Sequence, residues 1–111
     1  MNATGAWAER RARLFYLLRG YRVLERNSRP GGIEVDLVLR RGRQVVFCEV
    51  KAKLGDRFGS PAEMVGPEKQ RRLRRAAEAW LVAHPESAEW TVRFDVVAVT
   101  PRRLVRVADA F

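Results

Sequence analysis

The sequence predicts a small α/β domain in which helices flank a mixed sheet, with elements in the order α-β-β-β-α-β-β. Two segments carry apolar residues at helical spacing, five shorter runs alternate or are rich in β-branched residues, and Gly, Pro and Asn clusters punctuate them. With 111 residues, 47% of them hydrophobic, the chain has material for one core and no room for a second. Residues 1–111 are therefore read as a single domain.

The first helix is expected from Thr4, a residue suited to an N-cap, through Arg19, with Trp7, Leu14 and Leu18 near one stripe and Gly20 as its stop. Tyr21 to Arg26 alternates weakly and reads as a short edge strand, broken by Asn27-Ser28-Arg29-Pro30-Gly31-Gly32. Ile33 to Arg40 and Gln44 to Lys51 are strands by their β-branched content, joined through Arg40-Arg41-Gly42-Arg43 as an antiparallel hairpin. Ala52 to Gly66 reads as the longest loop, and loops of that length often carry function. Pro67 suits the first turn of a second helix reaching about Ala83, with Leu73, Ala76, Ala77, Trp80 and Leu81 at core spacing and an intensely basic opposite face. Thr91 to Val99 alternates as a strand, and Leu104 to Val107 adds a last short one after the Pro101-Arg102-Arg103 turn.

Charge narrows the partners. Basic residues outnumber acidic ones 22 to 13, for a formal net charge of +9 and a pI near 11.1, which favours polyanions through counterion release. Nucleic acid leads, DNA ahead of RNA; an arginine-biased composition or a ribosome-associated protein is the other reading of the same charge. A single cysteine, Cys48, cannot form an internal disulfide, and a single histidine, His84, removes zinc patterns built on paired Cys or His ligands. The opening segment has no apolar signal core, and no stretch approaches the roughly 18 apolar residues of a membrane span. A cytoplasmic protein with no membrane partner is expected.

The chemistry points to the hairpin. Side chains alternate across a strand, so Ile33, Val35, Leu37 and Leu39 are expected on one face and Glu34, Asp36 and Val38 on the other. In the partner strand Val46, Cys48 and Val50 form the apolar side, leaving Val45, Phe47, Glu49 and Lys51 opposite. Pairing Arg40 with Arg43 would set Glu34 across from Glu49 with Asp36 as the diagonal neighbour, about 7–8 Å away. Three carboxylates would then converge, a destabilising arrangement unless a cation neutralises them. Lys51 shares that face, so an ammonium stands beside a candidate carboxylate site for a hard cation such as Mg²⁺ or Mn²⁺. Such a site can hydrolyse a phosphodiester, the metal activating water and the lysine stabilising charge. A solvated strand face with a cross-strand ion pair is the alternative for Asp36, Glu49 and Lys51. Lys69, Arg71, Arg72 and Arg75, early in the second helix, are candidates for backbone phosphates; cations there oppose the helix dipole, so a purely stabilising purpose explains them poorly. Trp7, Trp80 and Trp90 are assigned to packing, and Asp95, amid apolar strand residues, needs a buried partner in the neighbourhood of Arg93.

Five segments carry a resemblance: Gly20-Tyr21-Arg22-Val23-Leu24-Glu25-Arg26-Asn27, Glu34-Val35-Asp36-Leu37-Val38, Val46-Phe47-Cys48-Glu49-Val50-Lys51, Phe58-Gly59-Ser60-Pro61 and Arg93-Phe94-Asp95-Val96-Val97. Across nearly its whole length the chain resembles the YraN-type bacterial proteins, which look like the Holliday-junction resolvase branch of the restriction-endonuclease-like fold. The resemblance implies a PD-(D/E)xK core with Asp36 and Glu49 as metal-binding acids and Lys51 as its lysine, and it nominates Glu9, on the first helix, as a further ligand. An exposed helix acid near Arg13 is the other reading of Glu9. The chain departs from the family at Ile33, where glycine usually precedes the Glu-x-Asp element. That leaves Glu34 open between a group supporting the ligands and an ion-pair partner of Arg26 or Arg29. A homodimer, as in resolvases, is left open too. The expected function is a metal-dependent nuclease acting on DNA, branched or structured, with a non-catalytic nucleic-acid-binding module of the same fold as the alternative and a protein-interaction domain as a third.

Overall fold

A computed structural model describes residues 3–53 and 61–111. Helix α1 (Ala3–Leu17) precedes strands β1 (Arg22–Ser28), β2 (Val35–Arg41) and β3 (Gln44–Ala52); helix α2 (Pro67–Ala83) follows, then β4 (Thr91–Val99) and β5 (Leu104–Val107). The element order is the expected one, and the bounds of α2, β4 and β5 coincide with the sequence reading. Of the loop expected over Ala52 to Gly66, residues 54–60 lie outside the described residues, and Pro61–Met64 forms a 3-10 turn. Thr4 falls inside the first turn of α1 instead of ahead of it.

The strands form one mixed sheet in the order β1-β2-β3-β4-β5. Pairs β1–β2, β2–β3 and β4–β5 are antiparallel, whereas β3 and β4 run parallel. Parallel neighbours need a crossover, and α2 supplies it. The sheet is covered on both faces. Against one, α2 packs Leu73, Ala76, Ala77 and Trp80 on Val38, Val45, Phe47, Phe94 and Val96; against the other, α1 packs Ala8, Ala12 and Tyr16 on Leu37, Leu39, Val46, Cys48, Val97 and Val99. Covering both faces explains why β3 reads as a nearly continuous apolar run instead of alternating.

Three expectations are corrected. On α1 the buried stripe is Ala8, Ala12 and Tyr16, while Leu14 is 56% and Leu18 75% exposed and Trp7 is half-buried. The helix meets the sheet through small side chains spaced four apart, and the leucines that mark a core stripe in the sequence point to solvent. The hairpin register is also different: Arg41, not Arg40, begins it by pairing with Gln44. The turn is Gly42-Arg43, with Gly42 at a φ of 60° that glycine adopts without strain. Continuing this register sets Asp36, not Glu34, across from Glu49. Because the shift is two residues, it preserves the alternation of faces. The third correction is local: Val35 packs into the α2 core while Leu37 packs against α1, so strict alternation fails at Asp36.

Deep in the α1 face sits a polar network. Asp95 is 1% exposed, and Arg93 grips it with Nε and Nη2, each at 2.8 Å. The Tyr16 hydroxyl donates to Asp95 Oδ2 at 2.6 Å, Arg93 Nη2 donates to the Tyr21 hydroxyl at 3.0 Å, and the Asp109 N–H reaches Asp95 Oδ1 at 3.1 Å. Burial pushes the Tyr16 phenol far above its ordinary range, so it remains a donor. The carboxylate on β4 is thus fully partnered, Arg93 included as expected.

A candidate acidic site where two strands part

The β2–β3 ladder ends at the Leu37–Cys48 pair, yet β3 continues beside β4 through Glu49–Val96, Val50–Val97 and Lys51–Ala98. Past Cys48, therefore, β3 is held from one side only. A main-chain N–H there still needs an acceptor, and the Val50 N–H finds it in Asp36 Oδ2 at 2.8 Å. The side chain of Asp36 thus fills the wedge where the backbone of β2 has turned away.

Asp36 and Glu49 meet in that wedge. The Asp36 carboxyl is pushed up to about 8, by burial first and then by a hydrogen bond to Glu49 and the charge of Glu49, with a small push from Glu9, against the downward pull of the Val50 N–H. A proton retained on Asp36 would be shared with Glu49. Glu49, only 7% exposed, also accepts from the α2 side, where Lys69 Nζ lies 2.9 Å from its Oε2. Lys51, two residues along the same strand, makes no ion pair or side-chain hydrogen bond among the described residues.

Glu9 comes from α1. It is buried rather than an exposed helix acid, at 6% exposure, and burial raises its carboxyl above the ordinary range, opposed by Arg13 and Arg26. It faces a cavity of about 290 Å³ shared with Asp36, Glu34, Arg29 and Val50. Glu34 stands at the rim, paired with Arg29 at 3.6 Å; the expected opposition of Glu34 and Glu49 is absent.

The expected convergence of Glu9, Asp36 and Glu49 on one cation is met only in part. Asp36 and Glu49 touch, and Glu9 shares a cavity with Asp36; among the described residues no three His, Cys, Asp or Glu side chains are gathered closely enough to hold a metal ion. The chemistry of the donors nonetheless fits a hard divalent cation, because every acid at the wedge offers carboxylate oxygens and neither thiolate nor imidazole. A proton retained on Asp36 and the Lys69 ammonium neutralise the same oxygens that a cation would take.

The basic residues of α2 divide. Arg71, Arg72 and Arg75 are exposed on its outer face, as phosphate contacts would require, whereas Lys69 is committed to Glu49. Arg74 lies over the Phe94 and Phe111 rings, 5.3 and 5.5 Å from their centroids. Two further residues belong to the site without having been singled out for it, Arg13 and Arg26, whose charges act on Glu9. The four-residue step from Glu9 to Arg13 on a helix was a legible signal; the approach of Arg26 from β1 was not.

A family model described as "Uncharacterised protein family UPF0102" matches residues 8–99, a span that contains Glu9, Asp36, Glu49 and Lys51. A UPF0102 protein of Rhodopseudomonas palustris (strain BisB18) is 43% identical over 103 residues, covering 93% of this chain and 75% of that protein. One from Frankia alni is 44% identical, covering 99% of this chain and 95% of its own. Another, from Methylobacterium nodulans, is 46% identical over 92% of this chain and 78% of its own.

Proposed function

The chain belongs to the UPF0102 family, the YraN-type proteins that its motifs resemble, and we propose that it is a metal-dependent nuclease hydrolysing phosphodiester bonds in DNA, branched or structured DNA first, on a restriction-endonuclease-like core of the PD-(D/E)xK type. The observation that carries this reading is the Asp36–Glu49 pair: a half-buried and a buried carboxyl in contact where β2 leaves β3, with Lys51 two residues on from Glu49 and without an ion pair or side-chain hydrogen bond among the described residues. Two acids in contact are costly to ionise together, and while Asp36 has a structural task in accepting from the Val50 N–H, that task does not call for Glu49 beside it. The mixed sheet between two helices is compatible with that core.

Asp36 and Glu49, with Glu9 across the cavity, are the residues that would hold Mg²⁺ or Mn²⁺. When bound, the cation supplies an activated water and draws charge from the phosphate. Asp36 gives up the shared proton, and its remaining hydrogen bond to the Val50 N–H keeps the carboxylate aimed into the wedge. Glu49 is fixed by the parallel ladder to β4. Lys51, a compact and mobile cation that arginine would not replace, stabilises the charge that develops on the scissile phosphate. Arg71, Arg72 and Arg75 give α2 a surface for flanking phosphates.

A second reading, a nucleic-acid-binding module of the same fold without turnover, is favoured by one observation: Lys69 already neutralises Glu49 at 2.9 Å, so the acids are partly satisfied without a metal. Nicking assays on flapped and junction-containing DNA, in Mg²⁺, in Mn²⁺ and in EDTA, separate the two. The nuclease reading expects metal-dependent cleavage that falls about a hundredfold or more in Asp36→Asn, Glu49→Gln and Lys51→Ala. Absence of cleavage on a broad DNA and RNA panel, together with salt-sensitive binding that survives Asp36→Ala, would establish the module instead.

A further inference from the structure

The cavity at Glu9 and Asp36 does not end there. A second cavity, about 190 Å³, adjoins it through Glu9 and is lined by Arg10, Arg13, Arg26 and Asn27. A third, about 540 Å³, adjoins the second through Arg13 and Arg26 and is lined by Leu17, Val23, Leu24 and Arg22. Linked by shared lining residues, first Glu9 and then Arg13 and Arg26, the three are taken together as a trough along α1, from the candidate catalytic acids to a mixed pocket in which Leu17, Val23 and Leu24 stand among Arg22, Glu25 and Arg26. Its walls are unusual for a surface with no partner. Leu17 and Leu24 are exposed, Leu24 on the same outward face of β1 as Arg22 and Arg26 and at the irregularity that shifts the β1–β2 register between Val23 and Glu25. Neither Arg13 nor Arg26 makes an ion pair or side-chain hydrogen bond among the described residues.

We propose that this trough binds an unpaired nucleic-acid strand, Arg10, Arg13 and Arg26 taking phosphates beside the acidic site and the Leu17–Leu24 pocket taking a base turned out of its stack. The inference rests on the nuclease reading for the acidic end of the trough. The middle of the trough is cationic, and its Arg13 and Arg26 act on Glu9 without an ion pair or side-chain hydrogen bond among the described residues, which leaves them for a polyanion. Its far end sets Leu17, Val23 and Leu24 beside Tyr21 and Arg22, apolar and guanidinium surfaces that fit the face of a nucleobase, with Glu25 also at the wall. Bases in a duplex hide those faces in the stack, so the pocket selects a strand that is already unpaired, such as a flap or a junction arm. The basic face of α2 is left to the adjoining duplex, where sequence-independent phosphate contacts suffice.

Fluorescence anisotropy in EDTA, with a single-stranded and a fully duplex oligonucleotide of the same sequence, tests this without cleavage. Arg13→Ala/Arg26→Ala should weaken single-strand binding about tenfold and flatten the log-affinity against log-salt slope by about 1.4, the loss of two phosphate contacts. Arg13→Lys/Arg26→Lys should restore most of that slope, showing that the effect is charge and not folding. Leu17→Ser/Leu24→Ser should erase the preference for the single strand while leaving the salt slope as in wild type. Wild-type protein that binds or cuts nucleic acid, with trough variants indistinguishable from it, would overturn the trough and leave the acidic-site reading standing. Capture of an acidic peptide by the trough, with oligonucleotide affinity unaffected by the variants, would likewise overturn it. Wild-type protein that neither binds nor cuts would overturn both.

Discussion

At the scale of single residues, Asp36 is the most consequential side chain in the molecule. Its folded-state carboxyl is raised to about 8 by burial and by Glu49, whereas in an unfolded chain it ionises near 4. The folded protein therefore holds the extra proton between those values, and the resulting stability is complete below about pH 4 and is lost as pH rises towards 8. In EDTA, thermal melts of wild type against Asp36→Asn should diverge across that window, wild type losing stability with rising pH and the amide variant staying flatter; parallel profiles would contradict the assignment. Asp95 makes the opposite case, a buried acid whose partners are all present. Removing Arg93 strands that charge, and Arg93→Ala should cost about 3–5 kcal/mol in denaturant unfolding. How much of this was readable from sequence differs between the two acids. Asp95 announced its need for a partner by sitting in an apolar strand, with Arg93 two residues away on the same face. The Asp36–Glu49 contact was legible only as a shared face, because it depends on β2 turning away from β3, a tertiary event that period-two alternation cannot encode.

At the scale of elements, the order and the bounds of α2, β4 and β5 followed from periodicity and punctuation, β1 ran two residues past its expected end to Ser28 and β2 began two residues late at Val35, and two relations between elements did not follow. The register of the β2–β3 hairpin hinged on which pair in Arg40-Arg41-Gly42-Arg43 forms the turn, and charged residues with a single glycine leave more than one choice. Gly42 decides it through its φ of 60°. Gly42→Val should destabilise the fold by about 1–2 kcal/mol, more than a surface change elsewhere in the turn such as Arg43→Ala, as read by chemical denaturation. The orientation of α1 was misread because leucine outweighs alanine in any hydrophobic pattern, whereas the sheet admits Ala8 and Ala12 where the helix presses on it. Leu14→Lys and Leu18→Lys should therefore change stability by no more than about 0.5 kcal/mol, and Ala12→Leu should cost about 1–3 kcal/mol by overpacking.

At the scale of the whole molecule, the fold brings residues from four elements to one candidate site. The parallel β3–β4 pair fixes Glu49 and Lys51, the departing β2 brings Asp36 to them, and α1 lays Glu9 and its neighbouring arginines over the opening. Among the described helices none is long and apolar enough to cross a membrane. Exposed arginines stand on the outer face of α2, Arg71, Arg72 and Arg75, and along α1 and β1, Arg10 and Arg26 among them. Under the proposed function, a polyanion is drawn towards the carboxylates of the site and a divalent cation joins them there. Isothermal calorimetry of Mn²⁺ with the metal-free protein tests this most directly. The expected result is saturable binding by wild type that is abolished in Asp36→Asn and strengthened or unchanged in Lys69→Met, which frees Glu49. Absence of binding in wild type, or binding untouched by Asp36→Asn, would contradict the account.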